Sequence, residues 1–220
     1  MGTMSVNKLG GLALVIGPIL AIASFLIRPG GGIIGGQVDP ADAAASIMSI
    51  TANGTMATLS GAGAMVGLIV LLYGIGVVVD SLKGGNGEAL ARLGALLLTF
   101  ALVSWLIGTS SQLVIASLGI TATNMGVLGS LYAGSQGLSN VGGILSSAAF
   151  LAISWALSTR DDFNRPFALI VAAVSAVMLV VAVMAALDSS MLQTAGTVAS
   201  IVYVITVSWV VSIGRKMTKE

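Results

Sequence analysis

The chain has 220 residues, 56% of them hydrophobic and 8% charged, with a formal net charge of +1 and a mean hydropathy of +1.05. An ordinary soluble domain carries about 25% charged residues, so this composition excludes a water-soluble fold. The near-neutral charge argues against nucleic-acid binding; the absence of Cys and His removes disulfides, thiolate nucleophiles and the usual zinc, copper and haem ligands.

About 20 apolar residues cross a bilayer as a helix, so the chain has room for six spans and their loops and none for a soluble catalytic domain. The predicted fold class is all-α: a polytopic membrane helical bundle of six transmembrane helices plus a short external interfacial helix. The first span runs from Leu9 to Ile27. Lys8, the apolar run and Ala21-Ile22-Ala23 also fit a signal peptide, but the run continues past the cleavage pattern to Ile27, which favours a span.

A segment from Arg28 to Gly54 follows, opening with Pro29-Gly30-Gly31-Gly32. Asp39 is the expected N-cap of a helix over 40–52, with Pro40 at its first position and Asp42 in its first turn. Ala44, Ile47, Met48 and Thr51 fall at helical spacing and form its expected membrane-facing side. Asn53-Gly54 is its stop. The segment reads as an interfacial helix on the outer surface, with a partner-docking surface as the alternative.

Span two covers 55–79, span three 93–118, span four 127–157, span five 167–187 and span six 192–213. Between Leu93 and Thr159 no Asp, Glu, Lys or Arg occurs. That stretch therefore crosses twice, turning at Gly119–Asn124. With six spans, alternate loops differ sharply in basic residues. Lys8, Lys83, Arg92, Arg160, Arg165, Arg215, Lys216 and Lys219 fall on one side and Arg28 alone on the other. By the positive-inside rule both termini are expected in the cytoplasm.

No ionisable residue falls near the middle of a span. Asp80, Arg92, Asp188 and Arg28 fall at span ends, within reach of headgroups or water. This argues against a proton-coupled pump, an arginine-helix voltage sensor and any metal-dependent or acid–base enzyme. No catalytic, metal-binding or cofactor-binding residue is predicted, and no cofactor.

The remaining polarity is neutral. Thr109, Ser110, Ser111 and Gln112 in span three, and Ser135, Gln136, Ser139 and Asn140 in span four, fall in the same outer half of the bilayer. Gln136 and Asn140 share a helix face. One reading is a small polar cavity lined by Ser110, Ser111, Gln112, Gln136 and Asn140. The other, a commoner use of such groups, is hydrogen bonding that glues helices together. Gly63 and Gly67 form a small-xxx-small pair for close helix contact, within the bundle or between protomers, with the former favoured. Trp155 and Trp209 are expected as interfacial anchors. Trp105 and Tyr203 fall near mid-depth and are expected to point into the bundle or an interface, since their N–H and O–H need partners. A cofactor or lipid contact is the alternative for these two.

The early hydrophobic span, the Asp39-Pro40-Ala41-Asp42-Ala43-Ala44-Ala45 helix start and the small-residue-rich second span resemble an uncharacterised family of six-span bacterial integral membrane proteins of unknown function. The resemblance implies a topology and a bacterial inner membrane, and no activity. The expected function is that of a non-enzymatic structural or accessory subunit. It would pack in the lipid bilayer against other membrane protein subunits or copies of itself. A facilitator or channel for a neutral or apolar solute is the alternative. An enzyme comes third, because its cofactor would have to come from a partner.

Overall fold

The computed structural model describes residues 4–32, 34–121 and 123–219. Its elements are α1 (Val6–Leu26), β1 (Gly31–Gly32), β2 (Gly36–Gln37), α2 (Ala43–Ala52), α3 (Gly54–Asp80), α4 (Glu88–Leu118), α5 (Met125–Leu157), α6 (Arg165–Leu187) and α7 (Leu192–Met217). Single 3-10 turns precede α6 and α7. All except β1, β2 and α2 are long and apolar enough to cross a membrane, giving six spans. Ala122, within the turn expected over 119–124, lies outside the described residues.

Local chemistry sets several helix ends. The Ser5 hydroxyl accepts from the Lys8 amide at 3.2 Å, and Asn164 caps α6 with Pro166 in its first turn. Gly119 closes α4 at φ +64°, a backbone angle that a side chain would strain. At α2 the cap is Asp42, not Asp39. Its carboxylate accepts from the Ala45 amide at 3.0 Å, while Asp39 turns back on the Ala41 amide at 2.9 Å. The helix accordingly starts at Ala43.

The six spans form a ring in chain order. Each packs on its sequence neighbour, and α7 closes the circle on α1. Small residues bring the backbones together. A methyl group on Gly67 would lie 2.6 Å from the Gly17 carbonyl oxygen, and one on Gly214 would lie 2.6 Å from the Gly11 carbonyl oxygen. The second contact joins the first turns of α1 to the last turns of α7, so both termini lie at one end of the ring. The 81–87 and 158–164 connections share that end, where the Lys216 ammonium donates to the Asp162 carbonyl at 2.7 Å. The eight clustered basic residues therefore occupy the terminal end of the molecule and Arg28 the other.

The half of the ring nearest the termini is filled. Leu71, Ile75 and Val78 of α3 and Leu82 just beyond it meet Leu98 of α4, Ile153 and Leu157 of α5, Val171 of α6 and Trp209 of α7 in one continuous core. Trp209 is completely buried. It is a core residue and not the interfacial anchor that its position along the span implied; the inward face of α7 outweighs its depth. Trp155, 55% exposed, does face outward.

At the opposite end α2 lies across the tips of α4 and α5. Ile47 and Ile50 pack against Ile115, Leu128 and Tyr132 in a second, smaller core. Its buried side is Ser46, Ile47 and Ile50, whereas Ala44 and Met48 are exposed. The expected membrane-facing stripe of Ala44, Ile47, Met48 and Thr51 is thus split. One part of it turns onto protein because the long α4 and α5 supply an apolar platform.

Candidate functional site

Inside the ring, in the half away from the termini, lies a cavity of about 320 Å³ to which all six spans contribute. Its two sides differ in chemistry. On α4, Trp105, Thr109 and Gln112 recur at helical spacing and face inward, and Gln136, Ser139 and Asn140 do the same on α5. Further round the ring, Met178, Ala182 and Ala185 of α6 and Leu192, Ala195 and Ala199 of α7 make an apolar wall. Ser60, Ala64 and Leu68 of α3 descend toward the packed core.

Arg28 enters this space from just beyond the end of α1. Its guanidinium donates to the Gln112 side-chain oxygen, closing a contact between residues far apart in sequence. Burial lowers its pKa from the ordinary value, but a guanidinium remains protonated in proteins. No carboxylate of the described chain pairs with it. The acids at this end are occupied with backbone amides: Asp39 with Ala41, Asp42 with Ala45, and Asp188 with Ser190 at 2.9 Å. The ion pairs Lys83–Asp80, Arg92–Glu88 and Arg160–Asp162 all lie at the terminal end.

A fastening closes over the cavity. The Tyr132 hydroxyl donates to the Pro40 carbonyl at 2.9 Å and lies 3.0 Å from the Ser46 hydroxyl. It thereby ties the segment before α2, and α2 itself, to α5. Pro40 and Ile50 line the cavity from this side.

Of the polar residues singled out in the sequence, Gln112, Gln136 and Asn140 come together around the cavity. Gln112 bridges elements through its bond to Arg28, whereas among the described residues no hydrogen bond joins the Gln136 or Asn140 amide to another group. Ser110 and Ser111 do not line the space. On a helix whose inward face carries Thr109 and Gln112 they point aside, and each hydroxyl bonds the Ile107 carbonyl, at 2.7 and 3.4 Å.

Gly63 and Gly67 lie in the contact between α3 and α1, against Ser24 and Ala21. Trp105 points into the bundle. Its indole N–H donates to the Ser139 carbonyl at 3.3 Å and its ring packs on Gly142. Tyr203 meets the cavity-lining Phe25 edge-on, with centroids 6.3 Å apart; its buried hydroxyl has no partner among the described residues.

The residue that sequence reasoning missed is Arg28, assigned there to headgroups or water. The available signal was its isolation, as the one basic residue on its side of the membrane. Among the described residues no group of three His, Cys, Asp or Glu side chains gathers as a metal site.

The chain matches no protein-family model, no curated protein and no solved structure. The fold itself defines the class: a multi-pass, all-α membrane-spanning protein.

Proposed function

We propose that the protein is a non-enzymatic membrane component that holds a small solute in a one-ended cavity, acting as an accessory binding subunit. The observation that carries this reading is the pair of unpartnered amides, Gln136 and Asn140, turned into a cavity that stops at a packed core. Polar groups left open inside a membrane protein are kept for a ligand or pathway more readily than for stability. The absence of Cys and His and, among the described residues, of any carboxylate in the cavity lining leaves the hydroxyls of Ser24, Ser60, Thr109 and Ser139 without an ordinary general base to activate them. Positive-inside bias supports cytoplasmic termini, with the cavity toward the outer side.

The test uses Trp105, which lines the cavity, as a reporter. The full chain in phosphatidylcholine nanodiscs is titrated with decanol while tryptophan emission is followed. A saturable change is expected in the wild type, and its loss in the Gln136→Leu/Asn140→Leu double variant with helicity retained. A linear response, as simple partitioning into lipid gives, would overturn the reading. The subunit role is tested by gentle extraction and mass spectrometry of the co-migrating particle, where migration alone would remove a hetero-complex.

The closed ring of spans favours one second reading, a facilitator for a neutral solute. Glycerol uptake into proteoliposomes above that of empty vesicles would support it, whereas the packed core of the terminal half argues for none.

A further inference from the structure

We propose that the cavity ligand is a single-chain amphiphile bearing one carboxylate, with Arg28 as its counter-ion; this rests on the cavity being a binding site. Arg28 is part-buried just beyond the end of α1, and a guanidinium partly withdrawn from water without an acid beside it carries a desolvation cost that the chain's own groups offset only in part. Asp39, Asp42 and Asp188 are each committed to backbone amides, and Gln112 supplies a neutral acceptor for only one of the five guanidinium N–H groups.

The planar fork that remains matches a carboxylate bidentately. One cation balances one negative charge, so a carboxylate fits better than a phosphate dianion. The amides of Gln136 and Asn140 line the same cavity and can donate to a polar group deeper in it. The alanine and methionine wall that α6 and α7 add to the cavity offers nothing but apolar contact, as a methylene chain requires. At about 320 Å³ the space stands at the low end of the roughly 300–1,000 Å³ of small-molecule sites. That suits one short chain rather than a two-chain phospholipid.

The experiment titrates the full chain in phosphatidylcholine nanodiscs with [1-13C]decanoate at pH 8, and separately with decanol, following the carboxyl resonance and tryptophan emission. In the wild type, decanoate is expected to bind saturably and more tightly than decanol. Arg28→Gln should weaken decanoate about 10- to 100-fold and decanol far less, and Ala182→Phe should fill the apolar wall and abolish both.

Decanol binding as tightly as decanoate in the wild type would overturn the proposal without recourse to any variant. So would undiminished decanoate binding in a folded Arg28→Gln. Displacement of decanoate by phosphatidylglycerol included in the disc would overturn it in favour of a phospholipid headgroup. Decanol binding without preference for the anion removes only the carboxylate, whereas failure of both probes removes the binding site itself.

Discussion

The two halves of the ring are built from the same six helices and differ in the size of what they turn inward. Toward the termini the inward positions are Leu71, Ile75, Val78, Leu98, Ile153, Leu157, Trp209 and Val210, all nearly inaccessible. Toward the other end they are Ser60, Gly61, Ala64, Gly143, Ala182, Ala195 and Ala199. A ring of six helices leaves a gap along its axis that only side chains can fill. Large ones fill it in one half, and small or polar ones leave the cavity in the other. In a bilayer, where lipid tails are as apolar as leucine, this difference in van der Waals packing is also a difference in stability. The filled half holds the ring closed so that the other half can stay open.

That contrast can be broken at one of the close backbone contacts between spans. Gly67→Leu forces a side chain against the α1 backbone at Gly17 and Ala21. It is expected to cost about 3 kcal/mol or more, seen as loss of the monodisperse particle on size exclusion. The next effect lies in the filled half. Trp209→Ala opens a void there and should cost about 2 kcal/mol, less than in a soluble core because the unfolded chain keeps the residue in lipid. Trp209→Phe removes an indole N–H without a partner among the described residues. It should leave the midpoint of thermal unfolding unchanged or raised.

A smaller effect is expected at the fastening of the open half. Tyr132→Phe loses the hydrogen bond to Pro40 and should cost about 1 kcal/mol. Hydrogen exchange should report this locally, as faster exchange over 43–52 with the α3 and α7 core amides unchanged. Smaller still, Gln136→Leu/Asn140→Leu should change stability by less than about 1 kcal/mol while abolishing probe binding. A large loss of stability in that double variant would mean that the open half is held by its polar groups after all. Least of all, Ser110→Ala should stay within about 0.5 kcal/mol and leave binding intact, since its hydroxyl serves only its own helix.

Much of the architecture was legible in the chain because hydropathy and charge act locally. Long apolar runs give spans, and the isolation of Arg28 from the other basic residues reappears as two chemically distinct ends. Half of the candidate site was legible on the same terms. Gln136 and Asn140 share a face by spacing alone, and Gln112 belongs to the same depth. Ser110 and Ser111 were grouped with Gln112 by proximity in sequence, yet a helix turns neighbours to different sides. Arg28 was assigned to the surface because a residue just beyond a span end can reach water. Whether it turns outward or inward depends on an acceptor 84 residues away.

The sequence by itself determined the number of spans, the separation of charge and the absence of cysteine and histidine, because each follows from composition over one turn or one span. Only the tertiary structure decided which face of each span turns inward. A span that is apolar all round carries no amphipathic stripe to mark its inner side. On that choice rest the burial of Trp209, the turning of α2 onto α4 and α5, and the alignment of small residues that leaves the cavity beside Arg28.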